Sequence, residues 1–199
     1  MFNEKNNAMK KFKVSQFLTA ILIVLTGFTL YSCTVDGPEI RPVKQEDVIG
    51  NYKGRLITVQ GESKTEKIKN FKVKKDTVMF AEFPVDEIVK TVVKDPVKAE
   101  MAIKALGKVK YDIQYTSSVN AASNVIELSL VPKPMEIRIP VDGTTKKTEV
   151  VLTAKQKGFY VGMDGSMRFV LNAEKITVDG TVLAPYEAIN YNFPFCVKY

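Results

Sequence analysis

The sequence predicts an all-β, antiparallel, barrel-like domain of about eight to ten strands with one helical insertion. Short runs in which apolar and polar residues alternate recur from residue 47 to the end of the chain, and this period of two is typical of half-buried strands. Residues 84–107 instead repeat their apolar residues with helical spacing. Three Asp-Gly pairs between strand-like runs predict tight hairpin turns, at Asp142-Gly143, Asp164-Gly165 and Asp179-Gly180.

The segment from Met1 to Cys33 has the general layout of a secretory signal. A leader with three lysines at residues 10–13 precedes a mostly apolar run that starts at residue 14. Near the end of that run, Leu30, Ser32 and Cys33 resemble the lipobox of bacterial lipoproteins. In that class the Cys thiol receives a diacylglyceryl group, the bond before it is cut and the new amine is acylated.

The resemblance implies that residues 1–32 are a signal peptide and that Cys33 is the lipidation site, whether translation starts at Met1 or Met9. The competing interpretation is an uncleaved signal anchor, which needs about 20 apolar residues to span a bilayer, whereas Ser, Gln and Thr interrupt this run. The residue after Cys33 is Thr34 and not the Asp that retains some lipoproteins in the inner membrane. By that analogy we expect an anchor in the outer membrane of a Gram-negative cell envelope, facing the periplasm or the exterior.

Composition excludes several classes of function. Removal of residues 1–32, which contain four Lys and one Glu, leaves 167 of 199 residues and a net charge of +4 instead of +7. That length is typical of one domain, and the modest charge disfavours a nucleic-acid role. The chain contains no His, which excludes His-based triads, general bases and metal ligands. We expect no catalytic residue, no cofactor and no metal.

Residues 33–46 predict a lipidated cysteine followed by a flexible tether, because the segment is poor in apolar residues and contains one Gly and two Pro. Fully extended, residues 34–46 would reach about 45 Å and let the domain stand clear of the membrane. The domain itself is predicted over residues 47–199, and its first strand over residues 47–60.

The opening of this strand, Gly50-Asn51-Tyr52-Lys53-Gly54, resembles the Gly-x-aromatic start of the first strand in lipocalin-like (calycin) barrels. Residues 47–199 are similar to the lipocalin-like lipoproteins of unknown function that are common in Gram-negative gut bacteria. The resemblance implies a barrel, and the mouth of such barrels is where ligands enter. It implies the fold more than an activity, because function depends on sites and not on folds.

The second and third strands are predicted over residues 67–74 and 77–83, in a region rich in lysine. Six lysines lie between positions 64 and 75, namely Lys64, Lys67, Lys69, Lys72, Lys74 and Lys75. They could attract a phosphate-rich membrane surface or an acidic glycan. The other interpretation is a solvated strand face that resists aggregation, since Lys commonly protects exposed strands.

A kinked helical pair is predicted after the third strand, over residues 84–107. An apolar stripe with spacing i, i+3, i+4, i+7 and i+8 indicates the first helix, and consists of Val85, Ile88, Val89, Val92 and Val93. Asp95 and Pro96 predict the start of the second helix, and Gly107 its end. Typical lipocalins have their helix near the end of the chain, so this placement differs from theirs. We expect the pair to cover one mouth of the barrel.

Strands return at residue 108, where Val109, Tyr111, Ile113 and Tyr115 alternate with polar residues. Pro132 and Pro134 predict a corner or an edge, because proline cannot donate to a ladder. The last run places one set of residues on one face, namely Ile189, Tyr191, Phe193, Phe195, Val197 and Tyr199. Cys196 would then point away from these aromatics as a structural thiol. A terminal aromatic is also typical of outer-membrane barrels, but the lysine-rich strands and Pro194 favour a last strand that completes a soluble barrel or sandwich.

We therefore expect a non-enzymatic, lipid-anchored binding protein that takes a small apolar ligand or an envelope component between its aromatic residues, while the same residues would equally fill a solid core. The expected partners are the membrane, through acyl chains on Cys33, and that ligand or an envelope protein, but no nucleic acid. The alternative is a structural or interaction subunit of the envelope, such as an adhesion or pilus-like accessory protein.

Two further classes are disfavoured by the sequence. A carboxylate enzyme could use Glu82 with Asp86 or Glu87, but acidic residues are expected at the start of a helix in any case. Calcium sites at the Asp-Gly pairs would need several oxygen ligands in each loop, and no series like that of an EF-hand is present.

Overall fold

The structure is a computed structural model that describes residues 41–199 of the chain. Its elements in chain order are a 3₁₀-helix (Gln45–Val48), β1 (Gly50–Gln60), β2 (Ser63–Val73), β3 (Thr77–Phe80), α1 (Asp86–Val93), α2 (Pro96–Leu106), β4 (Tyr111–Asn120), β5 (Val125–Val131), β6 (Met135–Val141), β7 (Thr144–Thr153), β8 (Gly158–Val161), β9 (Ser166–Val178), β10 (Thr181–Val182) and β11 (Ile189–Lys198). The predicted all-β class, with two helices after the third strand, is confirmed.

The strands close into an antiparallel barrel because the last strand pairs with the first. β11 lies between β1 and β9, with Lys198 opposite Tyr52 on one side and Tyr191 opposite Leu171 on the other. Eight strands form the ring, in the order β1, β2, β3, β4, β5, β8, β9 and β11. Closure pairs the backbone groups that the two edges of an open sheet would leave free.

The hairpin of β6 and β7 extends one wall of this barrel. β5 pairs with β8 and β6 pairs with β7, while β7 and β8 pair in succession along β9. β5 and β6 therefore run in line, joined through Pro132 and Pro134, and these prolines lie where the pairing partner changes, as the predicted corner requires. Among the described strands, β6 pairs only with β7, and α2 lies beside it.

The barrel has two ends that are closed differently. The tether end contains the 3₁₀-helix, the turns near residues 74–76, 121–124 and 162–165, and Tyr199. The helical end contains α1, α2 and the β6–β7 hairpin. β1 runs from the tether end to the helical end. Because neighbouring strands are antiparallel, the direction of β1 also shows at which end each of the remaining turns lies.

Residues 41–48 pack onto the tether end. Val43 and Val48 are buried, the backbone N–H of Val43 donates to Asn124 Oδ1 at 2.8 Å, and the Tyr52 hydroxyl donates to the Val48 carbonyl at 2.6 Å. The described body thus includes residues 41–46, which the sequence analysis assigned to the tether. Isolated valines in a polar segment carry no periodic signal, so only the tertiary contacts show that they belong to the core.

The two helices form as their sequence predicts. Ile88, Val89 and Val92 of the α1 stripe are buried. The Asp95 side chain caps α2 by accepting a hydrogen bond from the backbone N–H of Lys98 at 2.9 Å, which satisfies one of the free N–H groups of the first turn. Pro96 occupies the first turn of α2, and Gly107 ends it.

Cys196 points into the core, so the prediction that it faces away from the aromatics is wrong. The register of β11 shifts between Phe193 and Cys196 against β9, and a matching shift in β1 lies between Arg55 and Ile57. Because one residue of alternation is lost at this bulge, Cys196 becomes buried while Phe195, Val197 and Tyr199 become exposed. Gly54 makes room for the sulfur, since a Cβ at that position would lie 2.5 Å from Cys196 Sγ.

Two of the three Asp-Gly pairs form the predicted two-residue hairpin turns. Asp142 and Asp179 both have φ of 50°, and the glycines that follow them have φ of 74° and 83°, as a type I′ turn requires. Asp164 differs because it lies within a longer turn, where its side chain accepts a hydrogen bond from the backbone N–H of Ser166 at 2.9 Å.

Candidate functional site

Aromatic side chains fill the interior of the barrel. The ring centroid of Phe71 lies 5.3 Å from those of Tyr52 and Phe80 and 5.5 Å from that of Phe169. The Phe169 ring stacks in turn on that of Phe193, at 4.5 Å. These distances are typical of aromatic residues packed against one another in a core. The sequence left open whether these aromatic residues surround a ligand or fill a solid core. The observed distances correspond to a filled core.

α1 covers the helical end of the barrel with its buried apolar stripe, and polar contacts tie its surroundings to the strands below. We call these the rim contacts. They are the ion pair of Lys67 with Asp86, the ion pair of Lys69 Nζ with Glu82 Oε1 at 3.0 Å, and the hydrogen bond from Gln60 Nε2 to Thr91 Oγ1 at 3.0 Å. Lys67 and Lys69, two lysines of the basic run, therefore pair with acids beside the cap, although Lys67 stays exposed to solvent.

A tyrosine hydroxyl is buried near this cap without a hydrogen-bond partner among the described residues. Tyr191 is fully buried, with its ring 5.4 Å from that of Phe83, and its Oη has no partner in residues 41–199. Burial raises the pKa of this phenol well above its ordinary value. A buried hydroxyl without a partner costs about 1–3 kcal/mol of stability, so Tyr191 marks a point of local polar strain inside the core.

An open groove of about 340 Å³ lies between α2 and the β6–β7 hairpin at the helical end. Its α2 wall is formed by residues that share one helix face, because they are spaced by three, four and seven positions, namely Lys98, Met101, Ala102 and Ala105. Its hairpin wall consists of Pro140, Val141, Asp142, Gly143, Thr144 and Thr145. The volume falls within the usual range for sites that hold small molecules.

The groove combines an apolar wall with one charged pair. Met101 exposes 65% of its surface there, so a ligand in the groove could cover apolar area that is now in contact with solvent. At one side, Lys98 Nζ lies 2.7 Å from Asp142 Oδ2. This hydrogen bond raises the pKa of the Lys98 ammonium group, which stays charged. The site can therefore take an apolar group along Met101 and a polar group at the Lys98–Asp142 pair.

The carboxylates that could have formed an acid–base pair are engaged in ion pairs. The hydrogen bond and charge of Lys69 hold the pKa of Glu82 below its usual value, which is the opposite of the shift that a general acid near neutral pH requires. Asp86 pairs with Lys67, and Glu87 Oε1 lies 2.9 Å from Lys90 Nζ. These groups serve as rim contacts and helix-surface pairs.

Cys196 carries none of the features of a reactive thiol. It is fully buried, and burial raises the pKa of its thiol to about 12. A nucleophilic cysteine needs the opposite shift and an accessible sulfur. The geometry corresponds to the structural role that the sequence analysis assigned to this residue.

Two general features of the described chain concern metals and membranes. Within residues 41–199, no three Cys, Asp or Glu side chains come close enough together to hold a metal ion. The same part of the chain contains no helix with the length and apolar character needed to cross a membrane. The predicted signal peptide of residues 1–32 and the predicted lipidation site at Cys33 lie outside the described residues.

Fold and site together define an eight-stranded antiparallel barrel domain with a helical cap and a groove beside it, a fold that is compatible with ligand binding. The chain belongs to the family described as a domain of unknown function (DUF4840), whose family model matches residues 47–178. No curated protein and no solved structure is significantly similar to the chain. The matched region ends before β11, the strand that closes the barrel.

Sequence reasoning missed the groove residues. Met101 is exposed on α2, whose buried residues are Ala99 and Ala102, and Asp142 was explained fully by its hairpin turn. A large apolar residue on the exposed side of a short helix was the signal that could have indicated the site. The hairpin wall could not be found from the sequence, because α2 and β6 are separated along the chain by the whole of β4 and β5.

Proposed function

We propose that this chain is a non-enzymatic lipoprotein of the Gram-negative cell envelope, with a lipocalin-like domain that binds a small apolar ligand or an envelope component. Residues 1–32 would be removed as a signal peptide, and acyl chains on Cys33 would hold the protein in the outer membrane. The groove beside Met101 carries the ligand-binding part of this proposal, since it is open, is lined by both apolar and polar residues and has a suitable volume.

The arrangement of the barrel supports the relation to lipocalins. From β1 to β5, successive strands of the ring are neighbours along the chain, and the last strand returns to pair with the first. The Gly-x-Tyr opening of β1 places Tyr52 inside the barrel, where it is fully buried and stacked on Phe71. The position of the helices after β3 is the point on which the chain differs from typical lipocalins.

The groove and not the barrel interior is the proposed binding site, because the interior is occupied by aromatic rings in contact with one another. Met101, Ala105 and Val141 would contact an apolar chain or ring, while Lys98 and Asp142 would orient a polar end. A ligand of this kind gains affinity mainly from the apolar area that it covers, and the charged pair contributes orientation.

Native mass spectrometry of the protein purified from the cell envelope tests the binding proposal. We expect a bound small molecule on the wild-type protein, loss of that molecule in Ala105→Trp, which fills the groove, and retention in Val97→Trp. Val97 is the matched control because it is 70% exposed on the same helix and does not line the groove. Absence of a bound small molecule from the wild type, or its retention by Ala105→Trp, would count against the groove.

Metabolic labelling tests the anchor separately. Labelled palmitate is expected to enter the wild-type product and not the Cys33→Ala variant. Failure of the wild type to incorporate the label, or equal incorporation in the variant, contradicts lipidation at Cys33 without affecting the groove proposal.

A structural or interaction subunit of the envelope is the second candidate, and one observation favours it. β6 pairs only with β7 among the described strands, so its other edge can accept a strand from another chain. The same mass spectra distinguish the two candidates, because a bound polypeptide that persists in Ala105→Trp would support the interaction role.

A further inference from the structure

We propose that the tether end of the barrel rests on an anionic phospholipid bilayer and forms a second contact with the membrane in addition to the acyl chains. The contact surface consists of two sets of exposed side chains. The apolar set is Ile49, Val119, Met163 and Tyr199, and the basic set is Lys44, Lys72, Lys74 and Lys75. This inference rests on the proposed anchor only for bringing the domain to the membrane.

The length of the connecting chain limits how far the domain can stand from its anchor. Arg41 and Val43 are fixed to the tether end, since the Asn124 side chain bonds to the Arg41 carbonyl at 3.3 Å and to the Val43 N–H at 2.8 Å. Only residues 34–40 then remain between Cys33 and the described body. Fully extended, this segment spans at most about 25 Å. An anchor on Cys33 therefore holds this end of the barrel, and not the helical end, next to the bilayer.

The apolar set brings four exposed side chains together at one end of the barrel. Met163 is 77% exposed at the tip of the β8–β9 turn, and Tyr199 is 72% exposed at the chain terminus. Ile49 and Val119, at 40% and 43%, lie on neighbouring segments of the same end. Long apolar side chains and tyrosine are suited to the boundary between acyl chains and head groups, where their apolar parts leave water.

The charges of the same end complement an anionic surface. Four lysines of this end are exposed and form no ion pair with another described residue, namely Lys44, Lys72, Lys74 and Lys75. Only two acidic side chains of this end are exposed in the same way, Glu46 and Asp76. The other acids nearby are already neutralised, because Asp47 lies 2.8 Å from Arg41 and Asp164 lies 2.9 Å from Arg168. At the helical end, exposed lysines without an ion pair also occur, such as Lys64, Lys94, Lys104 and Lys110. They are offset by exposed acids that likewise form no ion pair with a described residue, such as Glu62, Asp95, Glu100 and Glu187.

The two sets act together in the proposed contact. Each lysine close to an anionic bilayer changes partitioning by about fivefold, and this attraction weakens as salt screens it. The apolar tips then add a contribution that does not depend on salt. Together, the electrostatic and apolar contributions give a weak and reversible contact with the membrane. This contact would orient a tethered domain so that the groove, at the opposite end, is directed away from the membrane.

A single tryptophan reports this contact, because the chain contains none. The protein for the test is residues 33–199 with Cys33→Ser, since the described residues 41–199 contain the closed barrel and its core cluster. In Met163→Trp, we expect the emission to shift to shorter wavelength when vesicles of phosphatidylcholine with phosphatidylglycerol are added, and not with vesicles of phosphatidylcholine alone. In the matched control Val97→Trp, which is exposed at the helical end and does not line the groove, we expect no shift with either.

Charge variants complete the test. Lys74→Glu with Lys75→Glu is expected to lower partitioning onto the anionic vesicles by about twentyfivefold or more. The same pair of changes at the helical end, Lys104→Glu with Lys110→Glu, should lower it much less. Equal loss in both pairs, or no shift in Met163→Trp, overturns the proposal. A shift in Met163→Trp that follows protein concentration without vesicles would also overturn it, in favour of contact between two copies. None of these results depends on palmitate incorporation, which tests the anchor.

Discussion

The two ends of the barrel are closed by different kinds of contact. At the tether end, the 3₁₀-helix inserts Val48 into the core and is held by hydrogen bonds to backbone groups, including the one from the Tyr52 hydroxyl. At the helical end, α1 buries Ile88 and Val89, but its rim is held by partly exposed ion pairs, and the buried hydroxyl of Tyr191 has no described partner.

This difference predicts that the contacts at the rim of the cap depend more on ionic conditions than the contacts that close the tether end. Apolar burial and backbone hydrogen bonds change little with salt, whereas ion pairs with exposed side chains are weakened by screening. We therefore expect the tether end to stay closed under all conditions in which the barrel is folded. The cap and the neighbouring groove are expected to respond to ionic conditions, and the predictions below test this contrast.

The largest effect is expected from the apolar contact of the cap. Ile88→Ala removes a fully buried side chain and should lower the free energy of unfolding by about 2–5 kcal/mol. Val97→Ala on α2, where the side chain is 70% exposed, should change it by less than about 0.5 kcal/mol. Urea denaturation measures both. A small effect of Ile88→Ala would mean that the cap is not part of the cooperative core.

Thiol labelling tests whether the bulge in β11 turns Cys196 inwards and Phe195 outwards. In Cys33→Ser protein, Cys196 should be alkylated at least about a hundredfold more slowly in the folded than in the urea-unfolded state, because its thiol is buried. A cysteine at the preceding position, in Phe195→Cys with Cys196→Ser, should react rapidly, since that position is 43% exposed. If the cysteine at position 195 reacted slowly and Cys196 reacted rapidly, β11 would have the unbroken alternation that the sequence predicted, without a bulge.

Removal of one hydroxyl at each end compares a bonded tyrosine with an unbonded one. Tyr52→Phe loses the hydrogen bond to the Val48 carbonyl and should lower the free energy of unfolding by about 1–2 kcal/mol. Tyr191→Phe should leave it within about 0.5 kcal/mol of the wild type or raise it, because no bond is lost. Thermal and urea unfolding provide the measurement, and a marked loss in Tyr191→Phe would reveal a partner at this hydroxyl.

The smallest effect concerns pH and salt. The hydrogen bond and charge of Lys69 hold the pKa of Glu82 below its ordinary value of 4.5, so this pair adds stability above that pH, and the contribution is lost as the pH falls through the folded pKa. For a partly exposed pair we expect about 0.2–1 kcal/mol. The pKa of Asp47 at the tether end is lowered mainly by the backbone N–H of Lys44.

A carboxyl titration by NMR distinguishes these two causes. At about 1 M salt, where charges are screened beyond about 3 Å, the pKa of Glu82 should move up towards its ordinary value, whereas that of Asp47 should move less. Equal movement of the two values would contradict the distinction between the ends.

Local features of the sequence predicted much of this fold. Asp95, Pro96 and Gly107 define α2 through contacts within a few residues, and two Asp-Gly pairs form the turns expected of them. Alternation placed Tyr111, Ile113 and Tyr115 inside the barrel, as the structure does. These predictions succeeded because each depends on neighbours along the chain.

The failures arose where a distant segment decides the outcome. The bulge in β11 depends on how β1 and β9 pair on either side of it, and it places Cys196 of the last strand against Gly54 of the first. The groove depends on α2 lying beside the β6–β7 hairpin. Neither pairing leaves a periodic trace in the sequence.

The sequence by itself determined the β-rich class, the position of the helical pair and the turns, because period, caps and backbone preferences are properties of short segments. Only the tertiary structure decided three other features. The aromatic residues fill the barrel, two lysines of the basic run form ion pairs beside the cap, and residues 41–46 belong to the folded domain. Those outcomes depend on which surfaces meet when the strands close into a ring, and burial is a property of the closed ring and not of any strand alone.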